Sequence, residues 1–490
     1  MIRVALEGTE IDLSKPLTES MERDRHAAIS LTGLCLAIAL WLVFDIRGFG
    51  LAGAVCFALF LIVGAGRLRL RERYLMLLSV LAALAAISVL DDPLPLLGTA
   101  AIRSAYLAAF FLMLTLLRDG ATTSTSVLSV GRWLTAQPPG RRYWALAWGG
   151  HILGVVMNFG ALILLVPLVQ RGGRDDIGTV PAEIQSIREQ RQLNALARGF
   201  SWFIAWAPTS IAQVVVVSVV AGASALSVAT MGAVIAASVV AAGWLDDRMT
   251  GRLMRRRLGG SAPPAAETTP PPMPALLRLF SVYGTLVILS AAIAIALGTG
   301  IVNGVVLASA PLTVLWIAMQ KRAGRGDARS LSARLRDMAT KTLPDCSPEA
   351  ATLAMAGFIG TVLAAIVPPE ALQAIFDLFG DRATLLYISL TATVVLASMI
   401  AMPPMLSVTF LGAAVSLAGE ADLNPDLLAL SLVLGWAINL TGSPFGATNL
   451  ILSRLAGVGG ARLAFYRNGR FSLWAFILCA IALWGFGAIS

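Results

Sequence analysis

Charge is what this sequence has least of. Asp, Glu, Lys and Arg make up 13% of its 490 residues, roughly half the share of a soluble domain, which is about 25%. Hydrophobic residues make up 57%, and long apolar runs recur from Ala27 onward. Each membrane-spanning helix needs roughly 20 apolar residues, so a water-soluble globular domain is excluded and most of the chain belongs in a bilayer. Four cysteines, Cys35, Cys56, Cys346 and Cys479, form no CxxC pair and no Cys/His cluster. That argues against a disulfide framework and against a zinc site, and no metal or cofactor is expected. No GxxxxGK[ST] loop occurs, so the chain does not hydrolyse ATP by itself. The first 26 residues are polar and of mixed charge, and a span opens at Ala27, so no cleavable signal is read there.

The charge that is present is placed unevenly. The formal net charge of +9 reads as loops retained in the cytoplasm rather than as a nucleic-acid site. Eleven spans are expected, near 27–44, 51–66, 74–90, 96–117, 199–222, 226–245, 279–298, 301–320, 350–367, 428–456 and 471–489. Basic loops at Arg67–Arg73, Arg248–Arg257 and Lys321–Lys341 alternate with acidic ones at Asp91-Asp92, Glu370–Asp381 and Glu420–Asp426. The positive-inside rule makes the first set cytoplasmic and the second periplasmic. The expected setting is a bacterial inner membrane, with the N-terminus cytoplasmic and the C-terminus periplasmic.

Two apolar segments do not fit as single spans. Segment 144–170 lies between Arg141-Arg142 and Arg171/Arg174, so both its ends belong in the cytoplasm. Segment 384–418 lies between Asp377/Asp381 and Glu420/Asp422, so both its ends belong outside. Each reads as a re-entrant hairpin. With both hairpins in place, every one of the 37 basic residues except Arg47, Arg382 and the intraspan Arg103 falls on the cytoplasmic side or its interface.

The resulting fold class is an all-α polytopic membrane protein with about 11 transmembrane helices and two re-entrant hairpins in two inverted repeats. Its organisation is a cytoplasmic segment (1–26), an extra first span (27–50), a first repeat (51–258), a Pro-rich cytoplasmic linker (259–278) and a second repeat (279–490). Inverted repeats are typical of secondary transporters, with the site near the midplane.

The halves also share residues. Ala207-Pro208-Thr209-Ser210-Ile211-Ala212-Gln213 aligns on its proline with Ser443-Pro444-Phe445-Gly446-Ala447-Thr448-Asn449, and a glycine follows each stretch, Gly222 and Gly457. Proline removes a backbone donor and clashes with the preceding turn. Thr441, Gly442 and Ser443 weaken the second helix further, so both helices are expected to break. Broken backbone survives at membrane depth only where protein or a water-filled cavity satisfies it. The freed carbonyls suit a cation and the freed N–H groups an anion. The hairpin tips are expected at Asn158 and Gly160, and at Pro403-Pro404 with Ser407 nearby.

These motifs resemble the ion transporter superfamily, which includes arsenite-pump-type, citrate-type and divalent-anion/sodium symporters. Leu153–Pro167, with Asn158 at its tip, is similar to that family's first hairpin. Leu440–Asn449, followed by Ala464-Phe-Tyr-Arg-Asn-Gly469, is similar to its last broken helix and exit. The resemblance implies that hairpin tips and breaks enclose substrate and coupling ion, often in a dimer. It points to Asn158, Gly160, Thr209, Ser210, Pro403 to Ser407, and Thr441 to Asn449. The alignment of the halves adds Pro208 and Gln213.

No carboxylate is read well inside a span, and Arg103 is the one deep basic residue. Arg103 suits an anionic substrate or a snorkelling role, and His151 suits proton coupling or a local hydrogen bond. The leading expectation is a secondary transporter of a small, anionic solute coupled to sodium or protons. A cation/proton antiporter or metalloid exporter of the same fold stays open, and more remotely a membrane enzyme of envelope glycan metabolism. The expected partners are the solute and the lipid bilayer.

Overall fold

The computed structural model describes residues 15–174, 182–257, 270–324, 329–380, 382–418 and 423–488. The start of the N-terminal segment, most of the Pro-rich linker, and Asp381, Glu420 and Asp422 lie outside the described residues. Among those described, every regular element is helical.

The first part of the chain forms α1 (Lys15–Phe44), α2 (Arg47–Val63), α3 (Leu70–Val89), α4 (Pro93–Thr122) and the short α5 (Thr125–Thr135). A hairpin follows, α6 (Pro139–Met157) and α7 (Gly160–Arg174). Then come α8 (Ala182–Trp202), α9 (Ile211–Val219) and α10 (Ala225–Arg257). The second part runs through α11 (Met273–Leu297), α12 (Ile301–Arg322), the short α13 (Leu331–Asp337) and α14 (Leu343–Asp345), α15 (Ser347–Ile366) and the short α16 (Pro369–Asp377). Its hairpin is α17 (Ala383–Met399) and α18 (Pro404–Ala418), followed by α19 (Pro425–Gly442), α20 (Ala447–Ala456) and α21 (Gly469–Gly487). In both parts a short helix, a hairpin, a helix interrupted near its middle and a final long helix appear in the same order.

Nine helices among the described residues are long and apolar enough to cross a membrane. The chain is an all-α polytopic membrane protein. Two of the eleven expected spans differ from these nine. The second is the 17-residue α2. The fifth, expected at 199–222, starts much earlier, because α8 extends back to Ala182 through a polar turn bearing Glu183, Arg188, Glu189 and Arg191. It also stops at Trp202. One turn of 3-10 helix, Phe203–Ala205, and a non-helical stretch separate it from α9.

Both hairpins turn where the sequence placed them. Helix α6 ends at Met157 and Asn158 takes a positive φ of 50°, while Ala401 between α17 and α18 takes a φ of 66°. A non-glycine residue in such a conformation costs about 1–3 kcal/mol. Two of the three non-glycine residues with positive φ among those described are therefore at hairpin tips.

The hairpins open toward opposite ends of the bundle. At the base of the first, the Tyr143 hydroxyl donates to the Val240 carbonyl (3.2 Å), and Trp144 lies against Trp244 near the C-terminal end of α10. The start of α21 is at that same end, where Arg470 pairs with Asp246. At the base of the second, the Tyr387 hydroxyl accepts from the Asn424 N–H (2.9 Å), and Thr384 faces Gly487 at the far end of α21.

Packing crosses between the halves. The first hairpin arms, α6 and α17, lie on α8 and α19 of their own halves. The second arm α7 also packs on α20, and α18 packs on α9.

Candidate functional site

Each interrupted helix is broken by the same device. Ala207-Pro208-Thr209-Ser210 closes a turn in which the Ser210 N–H donates to the Ala207 carbonyl (2.9 Å). Ser443-Pro444-Phe445-Gly446 closes another, with the Gly446 N–H on the Ser443 carbonyl (3.0 Å). Proline stands second in both turns, where its fixed φ is already that of the turn. The Ser210 hydroxyl oxygen caps α9 by accepting from the Gln213 N–H (3.2 Å) and donates to the Ile204 carbonyl (2.9 Å). Gln213 Nε2 donates to the Ala205 carbonyl (2.7 Å). In the second break, Asn449 Nδ2 donates to the carbonyls of Thr441 and Ser443 (both 2.9 Å).

Each break is also tied to its hairpin. The Thr209 hydroxyl donates to the Val155 carbonyl (2.8 Å), just before the first tip. The Ser443 hydroxyl donates to the Ser398 carbonyl (2.8 Å), just before the second. The breaks meet each other as well, with the Ser201 and Thr448 hydroxyls 3.5 Å apart. Close packing makes this possible. A Cβ on Gly199 would stand 2.0 Å from the Ala147 carbonyl oxygen, and one on Gly232 would stand 1.9 Å from that of Ala205.

His151, buried in α6, spans the first break from the side. Trp206 Nε1 lies 2.6 Å from His151 Nε2, and the Gly199 carbonyl lies 2.9 Å from Nδ1. An indole N–H can only donate and a carbonyl can only accept, so Nε2 is the acceptor and Nδ1 carries the hydrogen. The ring is thereby held neutral, as a brace between hairpin and break.

Several buried oxygens have no protein partner. They are Gln213 Oε1, Asn439 Oδ1, Thr441 Oγ1, Asn449 Oδ1 and Ser407 Oγ. Three are amide carbonyl oxygens, which can only accept. An unsatisfied buried polar group costs about 1–3 kcal/mol, so their concentration around the breaks is expensive. Pro403 ends the second tip and Pro404 opens α18, and Gly442 packs against Ser472.

The structure adds Arg118 to the first tip. A small cavity there, about 30 Å³, is lined by Arg118, Thr115, Asn158, Phe159 and Thr209. Arg118 Nε lies 3.1 Å from the point a Gly160 Cβ would occupy, so the missing side chain at Gly160 makes room for the guanidinium. Arg118 has no ion pair or hydrogen bond among the described residues. It lies one residue past the expected span 96–117 and outside every motif named above. The usable signal was its position one residue beyond the apolar run of a 30-residue helix.

Arg103 is elsewhere. It lines a cavity of about 680 Å³ between α4, α9, α11 and α12, where the Tyr106 hydroxyl donates to Asn303 Oδ1 (3.0 Å). A more fully buried arginine lies outside the spans. Arg198, 3% exposed, pairs with Asp246, 8% exposed, at 2.9 Å. Asp246 lies one residue beyond the expected span 226–245, toward the Arg-rich end of α10, and is held by this pair.

No protein-family model and no curated protein matches this chain. Among solved structures, it resembles the crystal structure of the Alcanivorax borkumensis YdaH transporter. The TM-score is 0.59 at 14% identity, over 85% of this chain and 98% of that one. The chain shares the fold of that membrane transporter.

Proposed function

We propose that the protein is a secondary active transporter of a small anionic solute, working from the paired hairpin tips and breaks. The observation that carries this reading is Arg118. It is a half-buried guanidinium without an ion pair or hydrogen bond among the described residues, lining one cavity with Asn158 at a hairpin tip and Thr209 at a proline break. Arg recognises carboxylates and phosphates through paired N–H donors, and an ionisable group with no protein partner inside a bundle is by default functional. The acceptor oxygens around the second break suit a hard cation such as sodium as the coupling ion. The opposed hairpins and the repeated Pro turn support two inverted repeats. The charge pattern supports an inner-membrane setting with the end of the bundle bearing Arg67, Asp246 and Arg470 in the cytoplasm.

Purified protein in liposomes should take up a labelled dicarboxylate, citrate, sulfonate or oxyanion when sodium or protons are supplied as a gradient. If no anion moves under any gradient, the reading fails. Movement of a metalloid or cation alone against protons would replace it with an antiporter.

A further inference from the structure

We infer a second oxyanion site at the α10–α21 end of the bundle, built around Arg467 and separate from the hairpin tips. It is a polar cavity of about 380 Å³ between α8, α10 and the one-turn π-helix Arg462–Arg467 that joins α20 to α21. Four arginines line it, Arg191, Arg198, Arg467 and Arg470, against two carboxylates, Asp246 and Asp247. Both carboxylates are already taken. Arg191 holds Asp247 (2.6 Å), while Arg198 (2.9 Å) and Arg470 (2.5 Å) share Asp246. Two positive charges are left over.

One of them is conspicuously unsatisfied. The Nε and Nη1 of Arg467 are buried and have no hydrogen-bond partner. The neighbouring guanidinium is fully used: Arg198 donates to Asn468 Oδ1 (3.1 Å), to the Gly243 carbonyl (3.2 Å) and to the Arg467 carbonyl itself (3.3 Å). The backbone of Arg467 is therefore pinned, while its guanidinium stands in the cavity wall with two donors that no protein group accepts from. Burial and the nearby Arg462 lower the basicity of Arg467, partly offset by Glu189. A guanidinium with no protein acceptor and excess positive charge around it suits an oxyanion. The cavity volume admits a phosphate group with a modest organic remainder.

The chemistry required is that of a phosphate, and it could arrive free in solution or as the headgroup of an anionic phospholipid. The exposed Tyr466 and Phe465 beside Arg467 are compatible with a membrane interface. Whichever source supplies it, the ligand would bridge α8, which leads into the first break, to the segment leaving the second. It would stabilise the assembled core without touching either hairpin tip.

The test is a thermal-shift titration of the full-length protein with inorganic phosphate in detergent. It is paired with reconstitution into nanodiscs of phosphatidylcholine alone or with phosphatidylglycerol. Phosphate should raise the apparent melting temperature saturably. R467M should abolish the rise, R467K should weaken apparent affinity about tenfold because the fork is lost, and R118Q should leave it intact. Arg467 gives up no side-chain hydrogen bond on substitution, so R467M should melt near the wild type without phosphate. Loss of the phosphate response in phosphatidylglycerol nanodiscs, dependent on Arg467, would identify the lipid as the occupant, and persistence would identify the free anion. The inference is overturned if R467M and R467K respond like the wild type, or if R118Q removes the response and so moves the phosphate to the hairpin tip.

Discussion

Gln213 and Asn449 stand in the same relation to their own breaks. Each lies five residues after the break proline, and each donates its side-chain amide to the carbonyl eight residues before it, Ala205 for Gln213 and Thr441 for Asn449. The amide nitrogen replaces a donor that the broken helix cannot supply, while the amide oxygen is left unpaired in both cases. Removing either amide strands a buried carbonyl. Gln213→Ala and Asn449→Ala should each cost about 1–3 kcal/mol, read as a lower melting temperature in detergent. Asn449→Ala should also lose any substrate-induced shift. Unchanged stability in both variants would show that the amides do not hold the breaks.

Arg118 should decide affinity for an anion. In Arg118→Gln, the KM for uptake should rise at least about tenfold, corresponding to the loss of about 1.4 kcal/mol or more. Arg118→Lys should recover part of that, since charge is kept and the fork is lost. The same residue can be read through Cys346. Burial raises its thiol above the ordinary cysteine value, and Arg118 offsets part of the rise. Alkylation of Cys346 at pH 8 should therefore slow further in Arg118→Gln, because less thiolate is present. An unaltered KM would rule out contact between Arg118 and substrate.

The brace between His151 and Trp206 predicts an energetic coupling. His151→Phe and Trp206→Phe each remove one side of the hydrogen bond. A double-mutant cycle on melting stability should give an interaction energy of about 0.5–1.5 kcal/mol. Additive losses would mean that the two rings only pack.

Gly199→Ala places a methyl group where the Ala147 carbonyl oxygen sits. The helices α6 and α8 would have to separate, so a loss of about 1–3 kcal/mol or more is expected. It should appear as poor expression and early melting. Gly66→Ala, in open space, is the matched control.

Orientation can be read by labelling. In a background with Cys346 replaced, an impermeant maleimide should reach Asp92→Cys and Leu378→Cys in intact cells. It should reach Arg69→Cys and Tyr466→Cys only after permeabilisation. The reverse pattern would invert the whole assignment.

Much of this architecture was legible because bilayers punish misplaced charge. Arginine pairs flanking one apolar segment and acids flanking another were enough to mark both hairpins. Pro208 and Pro444 marked the breaks because proline cannot continue a helix. Gly222 and Gly457, which follow the two stretches, both adopt positive φ (82° and 68°) after the restarted helices. What stayed hidden depends on pairing across distance. The first turns of α8 are polar, so hydropathy could not join them to the apolar stretch that follows. The pairing of Asp246 with Arg198 and Arg470 joins residues more than forty positions apart, which no local pattern marks. Arg118 differs from any arginine at a helix end only because Asn158 and Thr209, distant in sequence, fold onto it.

The exchange of supports between halves has a consequence for how the protein is made. The restarted helix of each half leans on the hairpin of the other, α9 on α18 and α20 on α7. When synthesis reaches the linker, α7 and α9 are finished but their buttresses do not yet exist. The first half should therefore stay incompletely packed until the second arrives. Expressed as two fragments cut within the linker, each half alone should be degraded, and the pair together should persist.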